Sequence, residues 1–122
     1  MSTSDGVMDT YVALWNATDE AERRRLAEQA LTEDGLIIYP GVEARGWDDI
    51  VAAIGGVHQQ VPGARFVSTS GIEQHHGWLR ATWRMVQPDG TVLLDGEDVG
   101  ELAEDGRFLR VIGFHDPLPR LS

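Results

Sequence analysis

The stretch Thr91 to Phe114, TVLLDGEDVGELAEDGRFLRVIGF, constrains the fold of this chain more than any other. It reads as a hairpin: a long alternating strand, a turn at Glu104-Asp105-Gly106, and a second strand from Arg107. With side chains alternating at period two, Leu94, Gly96, Asp98, Gly100 and Leu102 share one face. Leu93, Asp95, Glu97, Val99 and Glu101 share the other, which is mostly charged and belongs in water. Asp98 is therefore expected midway along an inward, otherwise apolar row. An ionised carboxylate there is costly unless hydrogen bonded, and burial pushes its pKa upward. A polar spot of that kind inside an apolar pocket is a candidate functional site.

Ahead of this hairpin the periodicity is helical. Met8, Tyr11, Val12 and Trp15 form one apolar stripe over Gly6 to Asn16. Asp19, with Glu22 three positions on, opens a second helix that runs to about Leu31 and buries Leu26, Ala30 and Leu31. Its arginines 23–25 sit among Asp19, Glu20, Glu22 and Glu28 and read as a solvated face. Asp34-Gly35 breaks it, and Leu36 to Tyr39 is a short strand stopped by Pro40-Gly41. A third helix covers about Trp47 to Gln60, with Ile50, Val51, Ile54, Val57 and His58 on one side and Asp48 and Asp49 in its first turn. Val61-Pro62-Gly63 ends it. Four strands follow, at about Arg65 to His75, Trp78 to Gln87, Val92 to Ala103 and Arg107 to His115. Leu79, Ala81, Trp83 and Met85 alternate with Arg80, Thr82 and Arg84, so the sheet has an apolar inner face. Glycines 96, 100 and 113 suit bends in a strongly coiled sheet. The tail after Asp116, with Pro117 and Pro119, is expected to be an extended surface segment. Helices segregated from an antiparallel sheet make residues 1–122 one α+β domain.

Charge and composition exclude several classes of function. The 122 residues carry a formal charge of −10, which offers no basic patch to a phosphate backbone. No apolar run approaches a membrane span, and the acidic start MSTSDGVMDT lacks the pattern of a signal peptide. With no cysteine, disulfides and thiolate chemistry are out, which fits a cytoplasmic chain. His75 and His76 are chain neighbours in a strand, so their side chains should diverge; no metal site is expected.

Several strings resemble the nuclear transport factor 2-like superfamily, in particular its SnoaL-like and ketosteroid-isomerase-like branches. They are Tyr11-Val12-Ala13-Leu14-Trp15-Asn16, Asp34-Gly35-Leu36-Ile37-Ile38-Tyr39-Pro40, Arg45-Gly46-Trp47-Asp48 and the run from Asp98 to Arg107. The resemblance implies a cone-shaped, curved antiparallel half-barrel packed on three N-terminal helices, with a pocket inside, commonly as a homodimer. It implies that Tyr11 stands where the isomerase branch keeps a phenolic oxyanion donor, and Asp98 where it keeps a protonated aspartic acid. Tyr39 stands where that branch keeps its aspartate base, and a tyrosine of ordinary pKa ~10 is a poor base at neutral pH.

The sequence thus assigns Asp98 and Tyr11 to polarising a ligand oxygen, and Trp15, Tyr39, His58, Phe66, Trp83 and Met85 to the ligand's surroundings. Plainer alternatives stand beside these: Asp98 bonding a strand kink or capping a helix end, Tyr11, Trp15, Trp83 and Met85 as core, Tyr39 as cavity wall, His58 at a helix boundary. His115 is positioned for the cavity mouth, but nothing singles it out. The expected partner is an apolar, oxygenated organic molecule of polyketide or terpenoid type, handled without metal or organic cofactor by an isomerase, cyclase or hydratase/dehydratase. The competing reading is a non-catalytic binding or dimerisation module. A homodimer is expected to form through the outer face of the sheet.

Overall fold

The computed structural model describes residues 3–115 and 118–121. The elements in chain order are α1 (Thr3–Asn16), α2 (Glu20–Ala30), β1 (Leu31–Tyr39), β2 (Val42–Arg45), α3 (Trp47–Gln60), β3 (Arg65–Ser68), β4 (Glu73–His75), β5 (Trp78–Val86), β6 (Val92–Leu102) and β7 (Phe108–His115). Asp19 caps α2 as its spacing implies, its carboxylate accepting the Glu22 N–H at 2.9 Å. The tail segment containing Asp116 and Pro117 begins outside the described residues; residues 118–121 are exposed coil.

The strands form one curved, open sheet in the order β2-β1-β7-β6-β5-β3, with β4 also paired to β5. The expectation of an antiparallel sheet needs one correction. β1 and β7 run parallel, pairing Ile37 with Val111, while every other pairing is antiparallel. The chain leaves β1 at one side, crosses by α3 to β3, and meanders back, so β7 arrives beside β1 pointing the same way. A parallel seam of this kind requires such a long crossover.

Helix α1 and the inner face of the sheet enclose the core. Tyr11, Leu14, Leu31, Ile37, Ile50, Ile54, Leu79, Phe108 and Val111 are all fully buried. On β5, Leu79, Ala81 and Trp83 face in while Arg80 and Arg84 stand exposed, and on β6 the alternation places Asp98 inside. Asn16 ties the end of α1 to the edge strand: its side chain donates to the Phe66 carbonyl at 2.9 Å and accepts from the Phe66 N–H at 2.8 Å. That mimics a strand partner and covers part of an otherwise open edge.

Other details depart from the periodicity. Leu31 is the first residue of β1, and the strand runs through Asp34-Gly35, where its pairing with β7 shifts register. β2 occupies the stretch between the Pro40-Gly41 stop and the third helix, for which the sequence pattern gives no element. The single strand expected over Arg65 to His75 is two, because the Ser70 hydroxyl takes the Thr82 N–H and interrupts the ladder. Arg23 is buried, not solvated. It donates to the carbonyls of Ala17 and Thr18 at 3.1 and 3.2 Å, satisfying the end of α1. His76 has φ 53°, which swings its ring back so that its Nδ1 lies 3.0 Å from that of His75; the two side chains converge where strand geometry would separate them.

Candidate functional site

A cavity of about 390 Å³ lies between α1, the end of β1, α3 and the inner face of β5 to β7. That is within the range of small-molecule sites. Of the residues singled out from sequence, Tyr11, Trp15, Tyr39, Phe66, Trp83, Met85 and Asp98 line it. His58 does not. Its Nε2 lies 2.7 Å from the Trp15 carbonyl oxygen, so it joins α3 to α1 behind the cavity wall.

Four aromatic rings close a circuit around the inner end. Trp15 meets Tyr39 edge-on at 5.3 Å, Tyr39 meets Trp83 at 6.5 Å, Trp83 meets Phe66 at 5.8 Å, and Phe66 returns to Trp15 at 5.3 Å. Edge-to-face contacts of this kind add to plain burial and fix ring orientation. Glycines make room for the rings. A Cβ on Gly96, which pairs directly with Trp83, would lie 2.2 Å from its indole, and one on Gly113 would lie 2.0 Å from the Tyr39 ring. Space for the rings is what these two positions provide.

The polar spot sits among those rings. Asp98 is 4% exposed and accepts the Trp83 indole N–H on Oδ1 at 2.9 Å. The hydroxyls of Tyr11 and Tyr39 are hydrogen bonded to each other at 2.6 Å. Burial pushes the Asp98 carboxyl up to about 7, against the opposing hydrogen-bonding influence of Trp83 and Tyr39. Burial, reinforced by the nearby Asp98 charge, also raises both tyrosines above their ordinary value. Tyr39 is therefore unsuited to act as a base near neutral pH, and its hydroxyl is engaged with Tyr11 as part of the polar cluster. The cluster can hold a proton at Asp98 under mild conditions and direct phenolic donors toward an oxygen in the cavity.

The lining also includes His115, half-buried with its ring 6.0 Å from that of Trp83. Period two along β7 predicts this, since Val111, Gly113 and His115 share the inner face. The rest of the wall, including Val12, Val42, Val57, Gln60 and Leu94, is made of residues that carry no chemical signal in the sequence. Among the described residues no group of three histidine, aspartate or glutamate side chains is arranged to hold a metal ion, and no helix is long and apolar enough to cross a membrane.

No protein-family model matches the chain, and no curated protein matches it by sequence. Solved structures do. A SnoaL-like family protein from Agrobacterium tumefaciens, proposed to be an isomerase, is 35% identical over 96% of this chain and 100% of its own, with a TM-score of 0.90. A nuclear transport factor 2-like protein from an Exiguobacterium species shares the fold at 21% identity, covering 92% and 99% of the two chains at a TM-score of 0.73. A proposed SnoaL-like polyketide cyclase from a Jannaschia species does so at 15% identity, covering 90% and 85% at 0.67.

Proposed function

This chain belongs to the SnoaL-like family, and from that premise we propose that its cavity binds a largely apolar, oxygenated organic molecule and polarises the oxygen. The observation that carries this is the Asp98 carboxyl, buried among aromatic rings at the inner end of a cavity and beside a pair of bonded phenols. With its proton on, Asp98 can donate from one oxygen while Oδ1 still accepts the Trp83 indole N–H. The Tyr11–Tyr39 pair can then turn one phenolic proton toward the ligand. Donors set in an apolar site stabilise negative charge developing on a carbonyl oxygen, as an enolisation, cyclisation or hydration step requires. A base must still be supplied, and His115, as the imidazole in the lining, is our candidate for it.

A second reading, a non-catalytic binding or dimerisation module of the same fold, draws support from Tyr39, which is occupied by its bond to Tyr11 and raised too far to shuttle protons. A homodimer would use the outer face of the sheet, where Val67, Leu93 and Phe114 stand exposed between ion pairs such as Arg84–Asp95 and Arg110–Glu101.

Native mass spectrometry of the purified protein tests the cavity and the assembly together. A retained small molecule, lost in Asp98→Asn with melting temperature held or raised, supports the binding site. Wild type that retains nothing, with a variant that changes only in stability, favours the module.

A further inference from the structure

The β4–β5 hairpin carries two imidazoles at its tip, and neither lines the cavity. β4 ends at His75, β5 begins at Trp78, and these two residues pair, so His76 and Gly77 make the whole connection. Both have positive φ, 53° and 80°, as the tightest hairpin turn demands. Asparagine, aspartate or glycine is the ordinary occupant of the first of those positions. His76 is the one non-glycine residue with positive φ among the described residues. The turn is anchored to β6, the Gly77 carbonyl accepting the Leu102 N–H at 2.7 Å. It brings the ring of His76 onto that of His75, with the two Nδ1 atoms 3.0 Å apart and the ring planes at 84°. A hydrogen bond between neutral rings accounts for the contact. It does not account for a histidine where asparagine fits the turn better.

We propose that His75 and His76 form an exchangeable surface site for a divalent copper ion, held by both Nδ1 atoms. A metal–imidazole bond is about 2.0 Å long. With the nitrogens 3.0 Å apart, an ion at that distance from each subtends roughly 97°, nearer the cis angle of a square plane than that of a tetrahedron. Copper(II) takes that geometry and stands highest among the divalent ions in affinity for nitrogen donors. Both rings then carry their protons on Nε2, and the ion replaces the proton shared between the Nδ1 atoms. Both side chains are exposed, which leaves the remaining positions to water. The carboxylates of Glu73 and Glu101 are engaged with Arg80 and Arg110, so the imidazoles are the donors the hairpin offers. Two protein ligands hold an ion more loosely than the three or four of a permanent centre, which suits exchange. The formal charge of −10 draws cations toward the chain.

The probe is copper(II) chloride in a non-chelating buffer near neutral pH, followed by electron paramagnetic resonance and calorimetry. Wild type should take up one equivalent with the signature of two nitrogen donors. His75→Gln should reduce that signature to one nitrogen and weaken binding at least about tenfold, since even the supporting contacts of a metal site are worth that much. His76→Asn should do the same while holding or raising the melting temperature, because asparagine suits the turn. That second variant separates loss of a ligand from loss of the fold. Copper held equally well after either substitution is an adventitious ion only and overturns the proposal. Wild type that shows no two-nitrogen signal overturns it as well.

Discussion

The Tyr39 ring lies against the backbone of Gly113 so closely that a methyl group there would sit 2.0 Å from its Cε1 and 3.0 Å from the Asp98 carboxylate. One missing side chain on β7 thus sets the position of two polar groups contributed by β1 and β6. The cluster is built across three strands, and each contributes something different: a phenol, a gap and an acid.

Gly113→Ala should therefore cost ~2–3 kcal/mol by overpacking. It should also break the Tyr11–Tyr39 bond, because the ring has to leave. Urea unfolding gives the first, and the ultraviolet absorbance of the buried tyrosines reports the second. Gly41→Ala is not an equivalent control, since Gly41 has φ 81° and would be strained for its own reason.

Asp98 makes stability fall as pH rises. Its folded pKa is about 7 against an ordinary 3.8, so the folded state holds the proton more tightly than the unfolded chain does. Its contribution is whole below 3.8 and is lost as pH climbs through about 7. At about 1.4 kcal/mol per pH unit this amounts to about 4 kcal/mol. Asp98→Asn, which stays neutral, should gain on wild type by about that amount between roughly pH 4 and pH 8. A stability difference that stays flat across a urea-unfolding series would contradict a buried acid.

The Tyr39 hydroxyl favours the ionised form of Asp98. Tyr39→Phe removes that help and leaves the burial, so the Asp98 pKa should move above about 7. Carboxyl carbon-13 titration measures it directly. The variant should also lose ~1 kcal/mol of stability with the bond to Tyr11.

Arg23 and Arg24 are adjacent in sequence and should behave in opposite ways. Arg23→Met leaves the Ala17 and Thr18 carbonyls at the end of α1 without their charged donor and should cost ~2–3 kcal/mol. Arg24 pairs with Glu28 and Asp48 at the surface, so Arg24→Ala should cost under ~1 kcal/mol. Thermal unfolding of the two variants side by side settles the comparison.

Phe114, 56% exposed on the outer face, is the obvious place to disturb a homodimer. Phe114→Arg should convert a sedimenting dimer to a monomer with the cavity intact. Wild type that sediments as a monomer would remove the dimer from the account.

The parts of this fold that could be read from the residues are those fixed by a single element's period. The inward row of β6 placed Asp98, and the stripe on α1 placed Tyr11 and Trp15, because each needs only local alternation. What escaped depends on partners far along the chain. Asp34-Gly35 reads as a breaker, yet it is held in β1 between Leu31, which pairs with Phe108, and Leu36, which pairs with Arg110. Arg23 looks like one of three surface arginines until the end of α1 is packed over it. His58 shares a face with Ile54 and Val57, but whether that face meets ligand or helix depends on where Trp15 presents its carbonyl. The hydrogen-bonding place of Tyr39 needed the sheet to be assembled before it could be seen.

The parallel seam has a temporal meaning as well. β7 is a late segment of the chain and yet a central strand of the sheet, flanked by β1 on one side and β6 on the other. Until it emerges from the ribosome, β1 lacks a neighbour on that side and the wall behind Tyr39 does not exist. Earlier stretches must wait with apolar surface uncovered, which is the interval in which a nascent chain is most exposed to chaperones and to its own kind.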